Sequence, residues 1–307
     1  SVGIAAAKKN VRLVYSSVHM GYLPRIIALE KGFFSAEGLD IEATNIPGGS
    51  KAAAALLGGS CDIVNLAYFH ALKAARKGFD VIALACPLNH WPLSYLMKPE
   101  MMEKKGISKE SSIDEKIKAM KGLKIGCTSP GSGTALIPKA FLENRGIDPA
   151  TEVQIVPFGK WKAGVAAFEH DKIDVFQWVS PIPEMLEKQG IGTILFSMAK
   201  GEVPEFDGYA WDSFFTTREF LEENPDIILA FTKAIIKAIN YIKTEKEGTM
   251  KVIAKTWKNA TPELREDAYA TISKAVPDKP LLSKNGWEIN MKLHFQDAPL
   301  DEKARMD

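Results

Sequence analysis

The feature that most constrains this chain is an alternation of short strands and helices that runs through once and then begins again. Val11 to Tyr15 places apolar residues at every second position, the period of a half-buried strand. Tyr22 to Lys31 reads as a helix, with Pro24 in its first turn and Gly32 as its stop. Leu39, Ile41 and Ala43 alternate again, and Ser50 is placed to cap a helix that ends at Leu57, before Gly58 and Gly59. Ile63 and Val64 form a third strand, and Ala67 to Lys77 a helix. Val81 to Cys86 is continuously apolar, as a strand covered on both faces would be. This βαβαβ order implies a parallel sheet, because each crossover helix returns the chain to start the next strand in the same direction.

The pattern restarts near residue 112. Ser112 and Glu115 form a capping box, and Leu123, Ile125 and Cys127 alternate as a strand. Thr134 to Asn144 is helical and Val153 to Val156 extended. Trp161, Val165 and Phe168 share one helical face. Strands follow at Ile173 to Trp178 and Ile191 to Phe196. The halves form a loose internal repeat. Pro47-Gly48-Gly49-Ser50 opens a helix before the Asp62 strand, and Pro157-Phe158-Gly159-Lys160 opens one before the Asp174 strand. Two open α/β sheets bind ligands at the carboxyl ends of their strands, so two facing sheets make a cleft. Beyond Thr216 the chain reads as helical: from Asn224-Pro225 through Lys243, from Thr261-Pro262, and from about Asn285 to Gln296. This tail is expected to pack on the first half.

Composition sets the outer limits. The 307 residues suit two lobes or domains, with 46% hydrophobic and 25% charged residues, an ordinary globular balance. The net charge of +1, from 39 basic and 38 acidic residues, gives no basic excess for nucleic acid or an anionic membrane surface. No apolar run is long enough to span a bilayer. Cys61, Cys86 and Cys127 lie far apart, form no CxxC, and read as small buried apolar residues. No two histidines have metal-ligand spacing, so no metal and no cofactor is expected. Ser1 to Lys9 could be the stub left by signal-peptide cleavage, or Ser1 an added residue.

Against this background particular segments carry a likeness. Gly21-Tyr22-Leu23-Pro24, Lys31-Gly32-Phe33-Phe34 and Glu37 to Glu42 resemble the opening of the type II substrate-binding proteins of ABC importers. The similar branch is that of the nitrate, sulfonate, taurine and thiamine-pyrimidine importers. Lys121 to Gly126, Pro130-Gly131-Ser132-Gly133-Thr134 and Arg145-Gly146-Ile147-Asp148-Pro149 resemble its second lobe, in the same order. The resemblance implies an α/β fold of the two-lobed periplasmic-binding-protein type II kind, each lobe an open, mostly parallel sheet flanked by helices. It implies a first lobe of residues 1–93 plus 212–307, a second of 94–211, and hinge crossings near 92–98 and 209–215. It further implies an exported, periplasmic or extracytoplasmic monomer that delivers a small molecule to an inner-membrane permease.

Family position and strand-end logic select the same loops for ligand contact. From the first lobe come Ser17, His19 and Tyr22, then Gly49 and Ser50, then Asn65 and Tyr68, then Asn89 and His90 beside Trp91. From the second come Thr128, Ser132, Gly133 and Thr134, then Phe158-Gly159-Lys160, Gln177 and Trp178; Trp211 lies by the return crossing. The turn from Ser129 to Thr134 presents amides and hydroxyls at a helix N-terminus, an anion seat or simply a capped turn. It lacks the Gly-Lys-Ser/Thr of a phosphate loop. His19 and His90 gain from loop placement, whereas His70, His170 and His294 lie on helices and receive no role. Trp161 reads as core with Val165 and Phe168. Trp178 and Trp211 read as pocket aromatics.

Three functions compete: a transport receptor without catalysis, an enzyme resembling the fungal thiamine-pyrimidine synthases, and a ligand-sensing domain. Those enzymes carry a cysteine-rich cluster, and the cysteines here are scattered. No G-x-S-x-G elbow occurs, and Asp171 with Asp174 reads as loop and strand-end charge. Aromatic candidates favour an organic ligand over nitrate, and the hydroxyl-rich turn an anionic one.

Overall fold

The computed structural model describes residues 7–295, so Ser1 and the expected helix end at Gln296 lie outside the described residues. The first half runs β1 (Lys9–Tyr15), α1 (Leu23–Glu30), α2 (Phe33–Ala36), β2 (Leu39–Asn45), α3 (Gly49–Leu57), β3 (Ile63–Ala67), α4 (Phe69–Ala75) and β4 (Val81–Leu88). The second runs β5 (Leu93–Met97), α5 (Pro99–Lys104), α6 (Ile113–Lys118), β6 (Lys124–Cys127), α7 (Gly133–Glu143), β7 (Gln154–Pro157), α8 (Trp161–Glu169), β8 (Val175–Val179), α9 (Ile182–Lys188) and β9 (Thr193–Ser197). The chain then returns through β10 (Asp212–Thr217) to α10 (Arg218–Glu223), α11 (Pro225–Thr244), α12 (Lys246–Thr256), α13 (Pro262–Ile272) and α14 (Lys284–Phe295).

Two five-stranded sheets result, in the orders β2-β1-β3-β10-β4 and β7-β6-β8-β5-β9. Both are mixed. In the first, β1 runs parallel to β2 and β3, while β10 runs antiparallel to β3 and β4. In the second, β6 runs parallel to β7 and β8, while β5 runs antiparallel to β8 and β9. In each sheet the opposed strand is one that has just crossed from, or is returning to, the other half. Residues 89–92 make the first passage between sheets and residues 198–211 the second. Both crossing strands are wholly or almost wholly buried, although β10 carries Asp212, Ser213, Thr216 and Thr217 beside its two phenylalanines, and this burial holds the passages in fixed places.

The internal repeat has a mechanical cause. Asp62 accepts a hydrogen bond from the backbone N–H of Arg12 at 2.8 Å, and Asp174 accepts one from that of Lys124 at 2.8 Å. Each aspartate, just before its strand, therefore clamps the neighbouring parallel strand at an end where the ladder runs out of partners. The capping box expected at Ser112 is present, with Ser112 and Glu115 exchanging side chain-to-backbone bonds.

The tail is helical, as its pattern predicts, but it does not confine itself to the first half. α11 buries Ile228, Phe231, Ile235, Ala238, Ile239 and Ile242 along one face, packed against α1, α2 and β4. α13, however, packs on α9 of the second half, with Lys188 and Asp267 paired at 2.7 Å, and α14 touches both α4 and α7. The last helix also holds the return passage: Asn285 donates to the Asp207 carbonyl at 2.8 Å and Asn290 to that of Ala210 at 3.1 Å.

Candidate functional site

A cavity of about 790 Å³ lies between the two sheets, at the carboxyl ends of the parallel strands of each. That is where open α/β sheets leave a crevice, because the loops there diverge. After β1 come Ser16, Ser17, His19 and Tyr22; after β2, Pro47, Gly48 and Gly49; after β3, Ala67, Phe69 and His70. The second sheet gives Thr128, Ser132, Gly133 and Thr134 after β6, residues 159–162 after β7, and Trp178 and Val179 from β8. Trp91 and Leu93 enter from the first passage and Trp211 from the second. These residues include Lys160 and Lys162 but no aspartate or glutamate.

Three helices of nine or more residues begin at this cavity, besides the shorter α1 and α4, whose starts also reach it. α3, α7 and α8 have Gly48, Ser132 and Lys160 at their N-caps, and none of the three receives a side-chain capping bond. Their first amides also have no partner within the helix, so each N-terminus presents free N–H groups and partial positive charge. At α7 the hydroxyls use their own protons. Ser132 Oγ donates to the Ser129 carbonyl at 2.7 Å; Thr134 Oγ1 lies 2.6 Å from Ser132 Oγ and 2.9 Å from Thr128 Oγ1, and accepts the Thr128 N–H at 2.8 Å. One proton per hydroxyl makes Thr134 the donor to Ser132 and the acceptor from Thr128. The amides of Gly133 and Thr134 remain for a ligand. Buried Gln177 fixes this turn from below, donating to the Gly126 and Thr134 carbonyls at 2.9 and 2.7 Å.

The aromatic wall is braced from behind. Trp91 is 2% exposed and stands edge-on to Trp211, with centroids 4.7 Å apart and planes at 84°. It also abuts α7: a Cβ built on Gly133 would lie 2.5 Å from its Cη2. Trp178 rests on Phe158 at 6.1 Å. Across the cavity, the His70 ring fills the space beside Gly49, where a Cβ would meet Nε2 at 2.1 Å.

Both histidines in the cavity are neutral donors or acceptors at ordinary pH. Burial, aided by the charge of Arg25, lowers His19 to about 3; burial, aided by Lys73, lowers His70 to about 4. His19 Nδ1 accepts the Gly21 N–H at 3.1 Å, which leaves the proton on Nε2. Burial also raises the Tyr22 phenol, which therefore stays protonated.

Of the residues expected at the ligand, Ser17, His19, Tyr22, Gly49, Trp91, Thr128, Ser132, Gly133, Thr134, Gly159, Lys160, Trp178 and Trp211 border the cavity. Seven do not. Phe158 lies behind Trp178, and Gln177 lies beneath the α7 turn. Ser50 is exposed in the first turn of α3 and caps nothing, because the helix starts one residue earlier with Gly48 at φ 98° as its cap. Asn65 points into the first sheet, where it accepts from Arg25 Nη1 at 2.8 Å and donates to Asp212. Tyr68 is buried against Phe215 at 5.8 Å, since its neighbours Ala67 and Phe69 take the cavity side. Asn89 bonds His90 Nδ1 at 3.0 Å, and His90 Nε2 meets Asp207 at 2.9 Å, so this pair ties the two passages together outside the cavity.

Conversely, sequence reasoning passed over Phe69, His70, Lys162 and Trp161 as cavity residues. Trp161 is the first residue of α8. The face it shares with Phe168 is buried at Phe168 but is only half covered about two turns earlier, at Trp161. Its only sequence signal is its place directly after the Gly159-Lys160 turn. Nothing local relates His70 to Gly49.

Two mixed sheets in these matched orders, with a cavity between their strand ends, define the fold of the periplasmic ligand-binding proteins of ABC importers. The chain belongs to the NMT1-like family, whose profile matches residues 5–258. Its fold is similar to that of the periplasmic aliphatic sulphonate binding protein SsuA from Escherichia coli, with a TM-score of 0.73 and 16% identity over 93% of this chain and 90% of that one. It is 25% identical to YtlA of Bacillus subtilis (strain 168), a protein named as a binding protein, over 87% of this chain and 77% of YtlA. It is also 25% identical to the 4-amino-5-hydroxymethyl-2-methylpyrimidine phosphate synthase THI13 of Saccharomyces cerevisiae, over 80% of this chain and 69% of that protein.

Proposed function

We propose that this chain is the exported solute receptor of an ABC importer and that it captures a small organic anion between its two lobes. The observation that carries the reading is the charge character of the cavity: two lysines, three uncapped helix N-termini and no carboxylate. An anion loses hydration on entering such a site and regains it as fixed N–H groups, the arrangement in which a helix N-terminus favours negative charge. Among the described residues, the lobes of this reading are 7–93 with 212–295, and 94–211. Closure about passages 89–92 and 198–211 would bring the α3 and α7 N-termini onto one ligand. The closed receptor, acting as a monomer in the periplasm, would then present its solute to a membrane permease.

The synthase reading draws on the likeness to THI13, but the cavity favours binding over chemistry. None of Cys61, Cys86 and Cys127 lines it; all three are buried, and burial raises each thiol above its ordinary range. The test combines a thermal-shift screen of small organic anions with scattering and mass spectrometry. A true solute at 100 times its dissociation constant adds about 2.7 kcal/mol of stability. It should also shrink the radius of gyration and be recovered unchanged. A stabilising solute that leaves the radius unaltered refutes the closing receptor, and one recovered as a new product establishes the enzyme.

A further inference from the structure

The chain contains six tryptophans, and four of them, Trp91, Trp161, Trp178 and Trp211, line this one cavity. The other two pack elsewhere, Trp257 beside the main core and Trp287 beside the first sheet. With Tyr22 and Phe69, six of the 23 lining residues are Phe, Trp or Tyr, although these types make up 9% of the chain. Large aliphatic side chains contribute only Leu93 and Val179. A cavity built for an alkyl chain gains from branched aliphatic residues, which fill space equally well and need no orientation. Indoles add value for a flat partner, because their faces and edges carry opposite partial charge and favour stacked or edge-on rings.

The rings are also held ready. Trp211 stands against Trp91, and Trp178 against Phe158, so both half-buried indoles keep their planes without a ligand. Binding then orders little that is not already ordered. They come from different parts of the fold: Trp211 from the return passage, Trp178 from β8 of the second sheet and Trp161 from the start of α8. The free amides of α8 and the lysines at 160 and 162 flank Trp161, and those of α7 come from the loop after β6 of the same sheet. At about 790 Å³ the cavity far exceeds an inorganic anion, whose lost hydration the ring faces could not replace.

We propose that the cleft selects a flat aromatic acid, its ring held between Trp211 and the Trp161–Trp178 side and its anionic group at the first turns of α7 and α8. The assignment rests on the receptor reading above and narrows its solute class. It makes Trp178 and Trp211 the residues that read the ring and Lys160 the residue that reads the charge.

Isothermal titration of the full chain at pH 7.5 tests it with six probes: benzoate, 2-naphthoate, benzamide, cyclohexanecarboxylate, methanesulfonate and nitrate. Benzamide keeps the ring and removes the charge; cyclohexanecarboxylate keeps the charge and removes the flat face. An aromatic acid should bind at least tenfold more tightly than the amide and than the saturated acid. Trp178→Leu should abolish the preference over cyclohexanecarboxylate while keeping that over benzamide, and Lys160→Gln should do the reverse. Circular dichroism confirms that each variant is folded. Equal or tighter binding of cyclohexanecarboxylate, methanesulfonate or nitrate overturns the aromatic assignment and leaves the receptor reading standing. Equal binding of benzamide overturns the anionic part. Failure of all six to bind the folded chain overturns the aromatic-acid class, while the receptor reading answers to the closure measurement with whichever solute stabilises the protein.

Discussion

Gly133→Ala offers the sharpest probe of how the cavity is assembled. The added Cβ would lie 2.5 Å from Trp91 Cη2 and 3.0 Å from its Cζ3. Carbon atoms pack at about 3.5–4.0 Å, so the indole must move by about 1 Å or the helix must tilt. Trp91 has little room: it is 2% exposed and meets Tyr209 and Trp211 edge-on, at 5.8 and 4.7 Å. Overpacking of this kind costs about 1–3 kcal/mol. Exchanging a helical glycine for alanine returns at most ~1 kcal/mol. A net loss of about 1–2 kcal/mol should lower the melting temperature by roughly 2–5 °C in a chain this long. It should also weaken solute binding about tenfold, equivalent to ~1.4 kcal/mol, because Trp211 and the α7 amides shift together. Gly131→Ala is the internal control, since a Cβ there meets nothing within 4 Å. Calorimetric melting and titration of both variants, with the solute that stabilises best in the screen, provide the measurement. If Gly133→Ala matches Gly131→Ala in both, Trp91 does not brace the turn and the argument fails. Sequence alone recommends Gly133→Pro as a clean deletion of one donor; the structure shows it is not clean, because any Cβ at 133 strikes Trp91.

The remaining predictions concern charge and the aromatic wall. Burial raises Asp212 to about 7, against the lowering effect of Arg25 and Asn65. The folded chain thus holds a proton that the unfolded chain releases near pH 4, so this group's contribution to stability falls as pH rises from about 4 to about 7. The melting-temperature difference between Asp212→Asn and the parent should therefore shift in favour of Asn from pH 5 to pH 8, and a constant difference would show that Asp212 does not titrate in the fold. His19 and His70 act oppositely, their neutral forms stabilising above pH 6.5 and losing that contribution as pH falls toward about 3 and about 4 respectively. His70→Gln should accordingly lessen the loss of melting temperature between pH 7 and 5, and an unchanged slope refutes the neutral assignment. Trp178→Ala should weaken solute binding about tenfold with the unliganded melting temperature near the parent's, whereas Trp211→Ala should lower both, since Trp91 loses its neighbour. Equal melting losses in the two variants would show that Trp178 is a packing residue.

Much of the architecture was open to reading because the forces that set it are local. Alternation at Val11, Leu13 and Tyr15 marks a strand whatever lies beyond it. The Ser112–Glu115 box marks a helix start through bonds that span three residues. The two Gly-rich turns announce helix N-termini through the conformations that only glycine adopts easily, as Gly48 at φ 98° and Gly159 at φ 75° show. The loops that border the cavity follow from the rule that strand carboxyl ends diverge, and most of the residues chosen on that rule do border it.

What the local signals leave open is which way a side chain faces once its segment is in place. Asn65 and Ala67 lie two apart on one face of β3, yet Asn65 is taken up in the Arg25–Asp212 network while Ala67, at the strand end, reaches the cavity. Trp161 and Phe168 share a helical stripe, yet only the second half decides where that stripe stops being covered. The antiparallel direction of β5 and β10, the fit of His70 beside Gly49 and that of Trp91 against Gly133 all join segments remote in sequence. Periodicity, caps and turn chemistry act over a few residues, so the sequence by itself determined the strands, the helices, the repeat and the loops at the cleft. Close packing acts between whatever the folded chain brings into contact, so only the tertiary structure decided which rings and donors those loops present.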